Sequence, residues 1–369
     1  MKIIIVKNNI KKAIDSVVKI SSFNSHLPIL KNIFIKTDGN KLIFTTTDLE
    51  VAIRYFSPAK IIEPGEFTVS ALIFNSIINN LNSDVINLEL KGDILHLQSD
   101  NYKAELNTLS PDDFPIIPSL KKGSEIGVLT INSNILKEYL NQILLATTFY
   151  SIRPEINGIY FKYNGSDLYL VGTDSFRLGE KYINSKDFTT NLESEVDFII
   201  PLKIINEFLH IVSPNTSVLI LFDNNQISFQ TDDFIIISRL IDGKFPDYKQ
   251  IIPKDSVSTI VCDKSELING LKVTSVLSSK VFDVTISLNS NHFKIYSNNQ
   301  GIGENNYLIP AKISGENIEV KFNINYLLNG IKSIIGEKVV LKLNINNKPT
   351  IIQSENDSSY TYILLPIKG

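Results

Sequence analysis

Apolar and polar residues alternate along residues 33–48, Ile-Phe-Ile-Lys-Thr-Asp-Gly-Asn-Lys-Leu-Ile-Phe-Thr-Thr-Thr-Asp, and the alternation breaks at Asp38-Gly39-Asn40. A period of two on both sides of such a turn predicts a β-hairpin. The pattern returns in residues 159–174 and again in residues 284–299. Asp48, Asp174 and Asn299 are spaced by 126 and 125 residues, and Leu42, Leu168 and Phe293 keep the same two spacings. Self-similarity at a fixed interval marks an internal repeat, which decides the fold before any single element does.

Each hairpin is preceded by a stripe at helical spacing. The first is Ile10, Ala13, Ile14, Val17 and Val18; the second is Leu136, Leu140, Ile143 and Leu144. The third opens at Asp263-Lys-Ser-Glu266, an N-cap residue with Glu three positions on, and continues through Leu267 and Leu271. After each hairpin come a further strand and a second helix. Its stripes are Phe74, Ile77, Ile78 and Leu81, then Ile205, Phe208, Leu209 and Val212, then Leu327, Ile331, Ile334 and Ile335. Ser70, Pro201 and Asn323 mark the starts of these helices. Each unit is therefore expected to hold two helices and six to eight short strands.

The expected fold is α+β: three tandem two-helix, antiparallel-sheet domains spanning residues 1–123, 124–253 and 254–369. The breaks, Leu120-Lys-Lys-Gly-Ser124 and Pro253-Lys-Asp-Ser256, are too short for flexible linkers. Three similar units joined in one direction make an arc whose two ends repeat surfaces already matched at the internal junctions. A head-to-tail association of two copies that closes a ring buries both ends.

Composition narrows the possibilities. No apolar run reaches the roughly 20 residues of a membrane span, and the opening Met-Lys-Ile-Ile-Ile-Val-Lys is too short for a signal peptide, so a cytoplasmic protein without a membrane partner is expected. The lone cysteine, Cys262, excludes an intrachain disulfide and a thiolate metal cluster, and is read as a small buried hydrophobe. A net charge of −3 argues against a surface that binds nucleic acid all over, so any DNA-facing surface must be local.

The residues then carry a family. The chain resembles, over essentially its full length, the beta subunits of bacterial DNA polymerase III, the sliding clamps. The matching motifs are Leu27-Pro-Ile-Leu30, Thr47-Asp-Leu-Glu50, Glu63-Pro-Gly65, Thr108-Leu-Ser-Pro-Asp-Asp-Phe-Pro115, Asn157-Gly158, Thr173-Asp174 with Arg177-Leu178, Asp242-Gly-Lys-Phe-Pro-Asp-Tyr248 and Leu365-Pro-Ile367. The resemblance implies a homodimeric ring of three-domain chains, helices lining a central hole and sheet outside. It implies a non-catalytic processivity factor that encircles duplex DNA without sequence specificity and tethers its partners. The sequence departs from the family at Asn24 and Leu72, where many members place basic DNA contacts. It departs again at Asp174-Ser-Phe-Arg177 for the familiar Asp-Gly-x-Arg, at Lys249-Gln250, and at the final Lys368-Gly369.

Three sets of residues follow. The six helical windows carry nine lysines against five acids in a chain of net −3. Helices favour lysine in any case, but inside a ring this surplus is a weakly basic lining suited to sequence-independent phosphate contact. The nominees are Lys11, Lys12, Lys137, Lys203, Lys264, Lys272 and Lys332. Resemblance further implies a groove for short hydrophobic motifs of the replicative polymerase and the clamp loader. It comprises Ile156, Thr173, Arg177, Leu178, Pro246, Ile251, Ile363, Leu365, Pro366 and Ile367; the plainer reading is a core strand and a frayed terminus. The resemblance also places Leu106 of one copy against Val276 and Leu277 of the other.

Catalytic readings find no support. His26, His96, His210 and His292 lie in different repeats without metal-ligand spacing, and no Ser/His/Asp or phosphate-loop pattern occurs. Gly301-Ile-Gly303 is half a dinucleotide fingerprint with no parallel strand before it, and Asp112-Asp113 before Phe-Pro reads as a turn. No cofactor is expected. The competing classes are a three-repeat peptide-binding scaffold with no DNA role, and an enzyme of an unseen class.

Overall fold

The computed structural model describes residues 1–21, 26–120, 123, 126–149, 151–289 and 292–367. Within them one order of elements occurs three times. The first copy runs β1 (Lys2–Val6), α1 (Lys7–Val17), β2 (Asn32–Asp38), β3 (Lys41–Thr47), β4 (Val51–Pro58), β5 (Lys60–Glu63), β6 (Glu66–Ser70), α2 (Ala71–Asn80), β7 (Val85–Lys91), β8 (Ile94–Gln98) and β9 (Lys103–Asn107). The second runs β10 (Gly127–Asn132), α3 (Ser133–Leu144), β11 (Gly158–Tyr163), β12 (Leu168–Thr173), β13 (Arg177–Ile183), β14 (Phe188–Thr190), β15 (Val196–Pro201), α4 (Leu202–Ile211), β16 (Ser217–Phe222), β17 (Gln226–Gln230) and β18 (Phe234–Arg239). The third runs β19 (Ser258–Asp263), α5 (Lys264–Ser275), β20 (Asp283–Asn289), β21 (His292–Asn299), β22 (Gly303–Ile309), β23 (Ala311–Gly315), β24 (Ile318–Asn323), α6 (Ile324–Ser333), β25 (Lys338–Leu343), β26 (Thr350–Ser354) and β27 (Tyr360–Leu364).

The expected hairpins are β2–β3, β11–β12 and β20–β21, and Gly39 takes the positive φ of +57° that a two-residue turn demands. The helices bury the expected stripes, among them Ile10, Ala13, Ile14 and Val17 on α1 and Phe208 on α4. Asp263 caps α5 by accepting from the backbone N–H of Ser265 and Glu266, and Asn323 caps α6 in the same way. Ser70 precedes α2 without a side-chain capping bond, and Ile335 lies beyond the end of α6, 43% exposed. Residues 121, 122 and 124 of the first expected break, together with Asn24 and Lys368-Gly369, lie outside the described residues.

Among the described residues each copy has nine strands rather than six to eight. The strand that sequence missed is the fifth, Lys-Ile-Ile-Glu in β5 and Phe-Thr-Thr in β14. It is too short to show a period, and it exists because the first strand of its copy offers a free edge: β5 pairs with β1, β14 with β10 and β23 with β19.

The strands form four antiparallel sheets that cut across the repeats. The first copy contributes β5-β1-β7-β8-β9 as a sheet of five. A sheet of nine, β14-β10-β16-β17-β18-β4-β3-β2-β6, joins the second copy to the first through β18 and β4. A second sheet of nine, β15-β11-β12-β13-β27-β26-β25-β19-β23, joins the second copy to the third through β13 and β27. The order β22-β21-β20-β24 completes the set. The chain accordingly gathers into two compact units, one of Met1–Asn134, Phe188–Leu192 and Lys203–Leu240, the other of Ile135–Asp187, Glu193–Leu202 and Ile241–Gly369.

The two joining ladders share one register. Ser238 faces Val51, Ile237 faces Ala52 and Phe234 faces Tyr55. With 126 added to every number, Leu364 faces Arg177, Ile363 faces Leu178 and Tyr360 faces Lys181. The fifth and sixth strands edge the sheets in every copy; the remaining edges are β9 and β22, whose counterparts β18, β27, β4 and β13 are all paired.

Packing beneath these sheets leaves little slack. Gly330 of α6 faces the buried ring of Tyr362, and a Cβ there would stand 2.5 Å from Cε1. That ring is fixed by its hydroxyl, which donates to the Tyr326 carbonyl at 2.9 Å. Alanine gains about 1 kcal/mol of helix propensity over glycine, whereas overpacking a fixed site costs about 1–3 kcal/mol. Gly330→Ala is expected to lower stability by about 1 kcal/mol in urea unfolding; an increase would mean that the ring can yield.

Candidate functional site

The second repeat turns from β12 into β13 through Thr173-Asp-Ser-Phe-Arg177. Asp174 organises the turn: Oδ1 accepts from the N–H groups of Phe176 at 2.9 Å and Arg177 at 3.1 Å, and Oδ2 accepts from Arg177 Nε at 2.8 Å. The Thr173 hydroxyl donates to the Arg177 carbonyl at 2.6 Å and accepts from Ser175 N–H at 3.1 Å. Ser175 carries a φ of +78°, a conformation that favours glycine. The turn belongs to the repeat rather than to the site. Thr47 and Asp48 build it in the first copy, with Leu49 at +77°.

What distinguishes the second copy is Arg177, which stands where the first has Val51. It is 9% exposed, its Nη2 donates to the Thr147 carbonyl at 3.2 Å, and its guanidinium lies 4.4 Å from the centre of the Tyr326 ring. Burial works against its charge, yet Tyr362 and Asp174 more than offset that and hold the guanidinium above its ordinary range. Nη1 is buried and makes no hydrogen bond.

Beside this turn lies a cleft of about 190 Å³. Ile156, Leu178, Ile363, Phe245 and Tyr248 form its floor as one buried cluster, in which the Phe245 ring stacks on Tyr160 at 4.7 Å. Leu178 and Ile363 meet because β27 pairs with β13. Leu365 is drawn to the wall as its N–H donates to the Phe176 carbonyl at 2.9 Å. Phe176 and Ile251, 59% and 46% exposed, stand at the rim with Pro246.

Of the residues that sequence proposed for this groove, Ile156, Thr173, Arg177, Leu178, Pro246, Ile251, Ile363 and Leu365 line the cleft. Pro366 and Ile367 do not; Ile367 N–H instead donates to the Lys321 carbonyl at 2.8 Å. Sequence reading missed Arg153, Ser175, Phe176, Phe245, Asp247 and Tyr248. For Phe245 and Tyr248 the signal was present, since both lie in the Asp242 to Tyr248 motif. Burial pushes the Tyr248 phenol far above its ordinary value, as expected of a ring that forms the floor.

The seven lysines divide. Lys137, Lys272 and Lys332 are exposed, and Lys11 is half-buried. Lys12 lies 3.5 Å from Asp233, and Lys203 pairs with Asp48. Lys264 is turned to another task, donating to the Ile334 carbonyl at the end of α6, and burial pulls its pKa down. Elsewhere, Cys262 is buried and its thiol is pushed up to about 12 by that burial. Asp112 and Asp113 form the expected turn, capped by Ser110. Among the described residues no group of His, Cys, Asp and Glu is placed to hold a metal ion.

Three family models cover the chain: DNA polymerase III beta subunit, N-terminal domain over residues 1–118, central domain over 130–247 and C-terminal domain over 249–368. The chain belongs to the DNA polymerase III beta subunit family. The beta sliding clamp of Buchnera aphidicola subsp. Rhopalosiphum padi is 31% identical over 373 residues, which cover 99% of this chain and 98% of that one. The sliding clamp structure from Bacillus subtilis superposes with a TM-score of 0.93 at 25% identity, covering 100% and 99% of the two chains. A Pseudomonas aeruginosa sliding clamp bound to griselimycin gives 0.92 at 26% identity, with 100% of both chains covered. The function is that of the family, a DNA polymerase processivity clamp, and the family works without catalysis.

The turn that shapes the cleft can be tested alone. Asp174→Ala strands the buried Arg177 charge and removes the acceptor of two backbone N–H groups, so a loss of about 3–5 kcal/mol is expected in urea unfolding. A loss below about 1 kcal/mol would show that Arg177 finds another partner.

Proposed function

We propose that two copies of this chain close head to tail into a ring around duplex DNA, β9 of each pairing with β22 of the other, and that the cleft beside Arg177 holds short hydrophobic motifs of the polymerase and the clamp loader. One observation carries this reading: the two internal ladders repeat one register, and β9 and β22 are the strands that lack the neighbour their counterparts have. An unpaired edge is a template for pairing with another chain. Three domains of residues 1–123, 124–253 and 254–369 would then each contribute two helices to the lining.

Exposed apolar surface favours the same ends. Val276, Val281, Phe282 and Ile302 are 76%, 62%, 53% and 73% exposed around a hollow of about 720 Å³ near β22. Leu277 and Leu106 are half-buried in the single chain. Such clustered apolar groups mark an interface, and Leu106 set against Val276 and Leu277 would cover part of it.

Inside the ring, Lys11, Lys12, Lys137, Lys203, Lys272 and Lys332 supply loose phosphate contacts. Helix α2, with Leu72, carries no charged side chain at all. A sparse lining suits a protein that must slide, because phosphate contacts position without reading sequence. The cleft offers an apolar floor with a few polar groups above it, the usual form of a site for a short linear motif. A relative that holds griselimycin supports a ligand-binding surface on this fold. No helix is long and apolar enough to cross a membrane among the described residues, and we place the protein in the cytoplasm with the DNA it would serve.

Topology separates a ring from an ordinary DNA-binding scaffold. After loading by its clamp loader, the protein should stay on nicked circular DNA and be lost when the circle is linearised; equal retention on both would refute encirclement. Leu277→Asp should give monomers at micromolar concentration, since an unpaired buried charge costs several kcal/mol, on the order of 3–5. Deleting residues 365–369 should abolish binding of a polymerase-derived hydrophobic peptide while leaving the dimer and its retention on circles intact. Normal peptide binding after the deletion would place the groove elsewhere.

A further inference from the structure

The shared register can be carried to the open edges by counting strand partners. Ala52 faces Thr47 on β3, Leu178 faces Thr173 on β12, and Glu304 faces Asn298 on β21, so these three are equivalent. On the other side of the junction, Ile237 faces Ser228 on β17, Ile363 faces Ile351 on β26, and Glu105 faces His96 on β8. At both internal junctions the resulting cross-junction pair is aliphatic: Ile237 with Ala52, and Ile363 with Leu178. At the seam between copies the same position brings Glu105 opposite Glu304 of a second copy.

We propose that this carboxylate pair makes ring closure in this protein sensitive to proton concentration, with His96 as the group that takes up the proton. The inference rests on the ring reading above. Like charges directly opposite each other across antiparallel strands are destabilising. The charged groups around His96 form a row across one face of the sheet. Lys2 on β1 faces Glu89 on β7, Glu89 faces His96, and His96 faces Glu105 on β9. Glu89 is already served by Lys2 at 3.5 Å and Lys91 at 3.3 Å. His96 Nδ1 lies 3.3 Å from Glu105 Oε1.

On β22, Glu304 is approached by the Asn298 amide at 3.4 Å, a neutral donor. Lys294 of β21 faces Leu308, four pairs further along, and rests 4.9 Å from the Tyr296 ring. Lys103 of β9 falls opposite Asn306 by the same counting, diagonal to Glu304. With His96 neutral, Lys103 is the cation that this register sets beside the two carboxylates. A protonated His96 adds the missing cation beside Glu105, and imidazole is the side chain that ordinarily changes charge between pH 5 and 8. The protonated form favours the closed pair, so closure takes up protons and affinity between copies falls as pH rises.

Sedimentation velocity across a dilution series at pH 6 and pH 8 reads this directly. The dimer dissociation constant of the full chain should rise about twofold to thirtyfold from pH 6 to pH 8, the range that two seams give for cross-strand charge pairs. His96→Gln should remove the dependence despite the other three histidines, and Glu105→Gln should tighten the dimer at pH 8 by a similar factor. A wild-type chain that never dimerises, or a Leu277→Asp variant that stays dimeric, overturns the seam and this proposal with it. A dimer broken by Leu277→Asp but indifferent to pH, to His96→Gln and to Glu105→Gln overturns this proposal alone.

Discussion

The architecture depends on backbone pairing across repeat boundaries. A strand edge presents a row of unpaired N–H and C=O groups, and leaving it open invites association with other chains. In this protein the last strand of one repeat pairs with the third of the five strands between the helices of another, at β18 with β4 and at β27 with β13, in one register. The ladder fixes which side chains become neighbours. Leu178 and Ile363 are 185 positions apart in the chain, and they form one cleft floor because β13 and β27 are bonded side by side.

On that common frame the three repeats carry largely different side chains. The Thr-Asp turn is built alike in the first and second copies, by the same side-chain bonds and the same left-handed residue. The residue that follows it, Val51, Arg177 or Gly303, decides whether the place is filled by an aliphatic group, armed with a buried guanidinium, or left open. The cross-junction pair changes in parallel. Ala52 with Ile237 closes a core, Leu178 with Ile363 floors a cleft, and Glu304 is left at an edge. The repeats thus differ in what one backbone carries at equivalent positions.

Much of this was legible in sequence because it is local. Hairpins, helix stripes and the Asp263 and Asn323 caps depend on residues within a few positions of each other, and the repeat multiplied each signal by three. The fifth strands were not legible, since a strand as short as Phe188–Thr190 exists through a partner nearly 60 residues away. The exchange of strands between repeats was hidden for the same reason. At the cleft, residue type was a good guide to location and a poorer one to role. Thr173 lines the cleft, but its hydroxyl is spent inside the turn. Lys264 was expected to face DNA and instead caps a helix end, a use of lysine that charge counting cannot see.

The proposed pairing of a second copy with the open edges, in the register of the internal ladders, can be read by cross-linking. In a Cys262→Ala background, Glu105→Cys combined with Glu304→Cys places two thiols directly opposite across the seam, within reach of a disulfide, whereas Lys103→Cys with Glu304→Cys places them on a diagonal of about 7–8 Å, which is too long. Under mild oxidation the first pair should give a covalent dimer in high yield and the second little or none. Preferential linking of the diagonal pair, or no covalent dimer from either, would contradict the register and the ring that depends on it.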